Sequence, residues 1–105
     1  MIARRWRVWA RRDHADEVEP YLRETGVGEA LRTQGNCGAL LLRDDAGGDE
    51  VEFTLVTFWE SLDAVRAYAG DDYLQAVLYP ADREHFSRWD AHVSLLSVPA
   101  HDGLF

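Results

Sequence analysis

The side chains able to do chemistry are few and scattered. There are four histidines and one cysteine. His14, His85, His92 and His101 fall into no HxH, HxxxH or CxxC spacing, so no metal site is expected. Cys37 has no basic neighbour in sequence and reads as an inert thiol rather than a nucleophile. No serine or cysteine stands in a nucleophile motif, and no glycine-rich loop fits a phosphate or dinucleotide, which removes hydrolase, kinase and Rossmann dehydrogenase readings. What remains is aromatic and cationic. Trp59 ends an extended run at a corner and is a candidate pocket wall or substrate stacker, against plain core. Arg4 and Trp6 share a strand face; there Arg4 would hold an anionic or enolate oxygen while Trp6 packs on a ring. A solvated rim arginine beside a core tryptophan is the favoured alternative. His85 is of the type suited to a general base, against a surface histidine on a short turn. Tyr68, Tyr73 and Tyr79 are candidates to place a hydroxyl in a cavity.

The elements that must position these groups follow from periodicity. Residues 2–12 alternate, with Ile2, Arg4, Trp6, Val8 and Ala10 on one face: strand one. Asp13 to Glu17 is an acidic helix start, and Pro20 has to lie near the first turn, which favours Asp16 over Asp13 as the cap. Gly26-Val27-Gly28 is expected to split this helix in two. Gly35 to Gly38 is a turn that Asn36 serves. Strand two is Ala39 to Leu42 and strand three is residues 50–59. Ser61 is an N-cap, with Asp63 in the first turn of helix two. Asp72 is expected to cap a continuation of that helix through Leu78. Tyr79-Pro80 breaks it, and Asp82 to Phe86 makes one more helical turn. Trp89 to Val98 is strand four. Residues 99–105 form a tail whose Leu104 and Phe105 are candidates to dock on a neighbour.

This order, βαββαβ, is the ferredoxin-like arrangement of the α+β class: a four-stranded antiparallel sheet with both helices on one face, in a single domain spanning residues 1–105. Strands two, three and four are apolar on both faces while the helices cover only one. A homodimer packed sheet to sheet is therefore expected.

Composition sets the bounds. A chain of 105 residues with 47% hydrophobic content folds around one modest core. No apolar run is long enough to span a bilayer, no signal-peptide pattern appears, and a single cysteine fits a reducing cytoplasm. A net charge of -8 argues against nucleic acid or an anionic membrane as the partner. Five arginines between residues 4 and 12 alternate with apolar residues, which reads as a strand face rather than a phosphate-binding arm.

At Met1-Ile2-Ala3-Arg4-x-Trp6, Gly35-Asn36-Cys37-Gly38-Ala39, Phe58-Trp59-Glu60-Ser61-Leu62-Asp63-Ala64-Val65-Arg66-Ala67-Tyr68-Ala69-Gly70 and Tyr79-Pro80-Ala81-Asp82, the chain resembles the antibiotic biosynthesis monooxygenase family, especially its small bacterial members. The resemblance implies a dimeric α/β barrel with a pocket in each subunit between helices and sheet. It also implies, for some members, oxidation of polyketide quinol-type aromatics with oxygen and no cofactor, and for others haem binding or degradation. In the cofactor-free oxygenases an asparagine precedes the corner tryptophan by four positions; the position here is Leu55, still a candidate pocket residue. The helix-two region where haem-degrading relatives carry a histidine reads Gln75-Ala76-Val77-Leu78-Tyr79. The strand-four histidine of close relatives falls at Leu95, with His92 on the opposite face.

Two readings follow. The first is a cofactor-independent monooxygenase acting on a flat, electron-rich aromatic, with Trp59, Trp6, Leu55, Tyr73 and Tyr79 lining its site and Arg4 or His85 supplying charge or base. The second is a non-catalytic dimeric module binding a small apolar metabolite or haem.

Overall fold

Two-residue alternation builds one antiparallel sheet in the computed structural model, which describes residues 1–103. Strand β1 (Ile2–Arg11) lies inside the sheet. It pairs with β3 (Glu50–Trp59) over its full length, from Ile2 opposite Trp59 to Arg11 opposite Glu50. The outer neighbour of β3 is β2 (Asn36–Asp44), whose ladder carries an irregularity between Asn36 and Gly38. There the Asn36 side chain accepts from the Gly38 amide at 2.8 Å, the turn role expected of it. On the other edge of β1 lie two short strands, β4 (Arg88–Trp89) and β5 (Ser94–Ser97). The arrangement is the expected ferredoxin-like one.

The fourth strand was expected unbroken over 89–98, and it is divided. Its middle residues pair elsewhere: the Val93 amide donates to the Leu74 carbonyl at 2.8 Å, and the Ala91 carbonyl accepts from the Ala76 amide at 2.9 Å. The same exchange removes the expected helical continuation through Leu78. Residues 73–78 run without helix, bridged to the strand gap at Gln75 and His92. Helix formation would have used those amides internally.

The first helix begins earlier than expected. α1 (Ala15–Leu22) follows His14, so Pro20 is its sixth residue rather than part of the first turn. Pro20 is exposed, so the Asp16 carbonyl it leaves unbonded is within reach of water. A π-helical turn, Arg23–Val27, joins α1 to α2 (Gly28–Leu31), which is the expected division. Gly26 is needed there for approach rather than for flexibility. A Cβ at this position would stand 2.8 Å from Cδ2 of Leu55.

α3 (Leu62–Ala69) starts as its sequence dictates, with Ser61 Oγ accepting from the Ala64 amide at 3.1 Å. It ends at Gly70, whose φ of 86° is left-handed. Ser61→Ala should lower unfolding free energy by about 1 kcal/mol in a denaturant titration; an unchanged midpoint would show that tertiary packing alone holds the helix start. α4 (Asp82–His85) is the expected single turn.

The core lies on the helix side of the sheet. Trp6, Val8, Ala10, Val51, Phe53 and Leu55 meet Ala15, Val18, Leu22 and Phe86. A second cluster gathers Trp59, Ala30, Ala64 and Val65. On the opposite face Leu40 pairs with Val56, and Leu42 and Leu96 are 51% and 44% exposed. Leu104 and Phe105, singled out as candidates to dock on a neighbour, lie outside the described residues.

Candidate functional site

The period-two pattern of β1 turns Arg4 and Trp6 toward the helices, and β3 turns Leu55 the same way. These three meet Tyr68 of α3, Tyr79 of the 71–81 segment and Asp82 of α4 around one enclosed cavity. Leu22, Thr25, Gly26 and Val77 complete its lining. The space is about 10 Å³, roughly one water. Any aromatic ligand therefore requires the 71–81 segment to move.

Arg4 is 4% exposed, which overturns the rim reading of this residue. Its Nη2 donates to the Gln75 carbonyl at 2.8 Å and its Nε to the Tyr73 carbonyl at 3.4 Å, so the guanidinium holds the 71–81 segment down. Its carbon lies 5.6 Å from the centre of the Tyr68 ring. Among the described residues no carboxylate forms an ion pair with it. Burial pushes the Arg4 pKa below the ordinary arginine value, with Tyr68 and Tyr79 opposing the shift. A buried cation satisfied only by neutral groups creates a positive potential in a space of low dielectric.

The tyrosines complement it. Burial pushes the Tyr68 hydroxyl up while Arg4 pulls it down. Tyr79 is pushed up to about 12, chiefly by burial, with the neighbouring Tyr68 hydroxyl adding to the shift. Near neutral pH both are uncharged donors. Across the cavity Asp82 is 2% exposed. It accepts from the Tyr21 hydroxyl at 2.5 Å and from the Tyr79 amide at 2.9 Å. Trp6 is fixed by its indole N–H, which donates to the Asp90 carbonyl at 2.6 Å, and by an edge contact with Phe86.

Of the residues singled out in the sequence, the structure brings Arg4, Trp6, Leu55, Tyr68 and Tyr79 together. Trp59 stands behind them. It is wholly buried, its Nε1 donates to Thr57 Oγ1 at 2.8 Å, and its ring backs Tyr68 at 4.9 Å without lining the cavity. Tyr73 contributes its carbonyl to Arg4, while its ring lies under the Arg66 guanidinium. His85 faces an outer cleft, hydrogen-bonded to His14 at 3.1 Å and stacked on Tyr21 at 4.0 Å. Asp82 and Gly26 were not singled out as site residues. The one sequence signal for Asp82 was an acid two residues after Tyr79-Pro80, which helix-start logic absorbs completely. Among the described residues, no three His, Cys, Asp or Glu groups gather to hold a metal. No described helix is long and apolar enough to cross a membrane.

Haem, which the resemblance raises, meets a poor fit. The described lining offers no imidazole or thiolate, and the closed space is far smaller than a porphyrin.

Comparisons with known proteins place this geometry in context. The sequence profile described as antibiotic biosynthesis monooxygenase matches residues 1–78. A Deinococcus radiodurans protein classed as an antibiotic biosynthesis monooxygenase is similar in structure, with a TM-score of 0.69, 12% identity, and coverage of 100% of this chain and 99% of that one. A variant of MhuD solved with two manganese protoporphyrin IX molecules per active site has a TM-score of 0.67 at 18% identity, covering 98% and 99%. A Bacillus cereus protein classed with the first has a TM-score of 0.62 at 16% identity, covering 95% and 94%. At these identities the structures speak to fold alone. No curated protein matches the sequence.

Proposed function

The chain belongs to the antibiotic biosynthesis monooxygenase family, and we propose that it is a cofactor-independent monooxygenase of phenolic or enolic aromatic molecules such as anthrones and quinols. One observation carries this reading: Arg4, a buried cation among the described residues without a carboxylate partner, beside the indole of Trp6 in an enclosed space. An electron-rich aromatic reacts with oxygen more readily as its anion. Arg4 stabilises the oxyanion, Tyr68 and Tyr79 donate to it, and Trp6 and Leu55 fix the ring plane. The substrate supplies the electrons. In an anthrone a ring methylene becomes a carbonyl, one oxygen atom enters the product and the other leaves as water. Exclusion of water by the 71–81 segment keeps the local field strong.

The test is oxygen uptake with a panel of anthrones and quinols. Uptake above the autoxidation rate, with one oxygen molecule consumed per carbonyl formed, is expected. Uptake indistinguishable from autoxidation across the panel would overturn the reading.

The working unit is proposed to be a homodimer, sheet to sheet. Leu40, Leu42, Val56 and Leu96 on the face away from the helices support it, because half-exposed leucines on an open sheet face call for a cover. Light scattering at micromolar concentration should give twice the chain mass; a monomer mass would contradict the assembly.

A further inference from the structure

Resting on that reading, we infer that Asp82 is the general base of the cavity. The ligand is accordingly a neutral phenol or enol with a second, conjugated oxygen, its hydroxyl facing Asp82 and the other oxygen facing Arg4. Both charged residues line one enclosed space, at 2% and 4% exposure. They form no ion pair with one another within 4.0 Å. Two opposite charges withdrawn from water each carry a large desolvation cost, and direct pairing is the ordinary way to offset it. Here both line the same space more than 4.0 Å apart, so an intervening molecule with a donor toward one and an acceptor toward the other satisfies both.

The Asp82 carboxylate is oriented for this. Each oxygen accepts one hydrogen bond, Oδ1 from Tyr21 and Oδ2 from the Tyr79 amide, which leaves lone pairs on both. The Tyr21 ring that aims Oδ1 is itself clamped, stacked on His85 at 4.0 Å and edge-on to Phe86 at 6.1 Å. The backbone of Asp82 is fixed by its amide N–H, which donates a hydrogen bond to the Tyr79 carbonyl at 3.0 Å. In the step, the ligand O–H bond breaks, its proton forms an O–H bond on Asp82, and the electron pair stays on the ligand. Conjugation carries the negative charge to the oxygen at Arg4. This chemistry selects among ligands. A preformed carboxylate or phosphate is repelled by Asp82, and a purely apolar molecule leaves both charges unmet.

A purely structural Asp82 would simply tie the 71–81 segment to α1, so the test reads the proton rather than the fold. The probe is alizarin, whose more acidic hydroxyl is conjugated with a quinone carbonyl and changes the dye's colour on ionising. At a pH one unit below its first ionisation in free solution, dye bound to the unmodified protein should show the anion band. Infrared difference spectra should show a protonated carboxyl appearing with it. In Asp82→Asn that protonated-carboxyl signal should be missing whatever the charge of the bound dye, because Arg4 alone can stabilise the anion once the proton has gone to solvent. A neutral band in the unmodified protein, no protonated carboxyl on binding, or a protonated-carboxyl signal that survives in Asp82→Asn would each overturn the role of Asp82 while leaving aromatic binding intact. Absence of any dye binding to the unmodified protein would overturn the aromatic-site reading and Asp82's role with it. The infrared measurement needs no variant, so the outcome does not depend on Asp82→Asn folding.

Discussion

Arg4→Gln lowers the rate of anthrone oxidation by about 10²–10³-fold, the loss typical of removing one preorganised group that stabilises a developing oxyanion. The melting temperature changes little by comparison. The guanidinium is 4% exposed and its partners are backbone carbonyls. Its two hydrogen bonds stabilise the closed 71–81 segment, yet holding an unpaired cation out of water costs several kcal/mol, and a neutral side chain relieves that cost. The two contributions oppose each other, so function falls far more than stability. Parallel oxygen-uptake assays and thermal melts check this. Equal catalytic rates in the two proteins would remove Arg4 from the chemistry, and a collapse of the fold would make it a structural residue. Arg4→Met, which also removes the charge, should show the same division.

Trp59→Ala has the opposite profile. The ring is wholly buried among Ala30, Ala64 and Val65, with its indole N–H satisfied by Thr57. Truncation leaves a large cavity under α3 and an unpaired Thr57 hydroxyl, at a cost of about 3–5 kcal/mol. Against a typical total of about 5–15 kcal/mol, that is a large fraction of the stability. Denaturant titration should therefore show a much lower midpoint. Trp59→Phe should recover most of the loss and keep ligand affinity within a few-fold, since the tryptophan reaches the cavity only through Tyr68. Strong loss of affinity in a fully folded Trp59→Phe would instead make it a wall of the site.

Which features were legible in the sequence depends on the range of the forces that set them. Strand β3 was readable to the residue because alternation is local and both its ends are marked, by an acidic loop and by Ser61. The order of elements, and hence the ferredoxin-like sheet, followed from the same local signals. Residues 73–78 were read as a helical continuation because Tyr73, Ala76 and Val77 carry helical spacing behind Asp72. What overrides that spacing is remote: the Arg4 guanidinium and the backbone of residues 91–93 take its polar groups. The gap in the fourth strand is the other half of the same exchange. Period two placed Arg4 and Trp6 on one face, and only the assembled helices decide whether that face is rim or interior. Trp59 and Leu55, four residues apart on one strand face, end in different places because Gly26 lets the π-helical turn approach Leu55 while α3 closes over Trp59. Asp82 was invisible because a helix-start acid and a cavity acid look alike until Tyr21 and Tyr79 converge on it.

The most direct measurement is the Arg4 Nε–H resonance in a ¹H–¹⁵N spectrum, assigned by its loss in Arg4→Gln. In the resting protein that proton is bonded to the Tyr73 carbonyl inside the closed cavity. Titration with an anthrone under anaerobic conditions should shift the signal saturably, as the guanidinium exchanges lid carbonyls for the ligand oxygen. An Arg4 signal unmoved at anthrone concentrations that saturate binding, or no binding at all, would contradict a site built around this arginine.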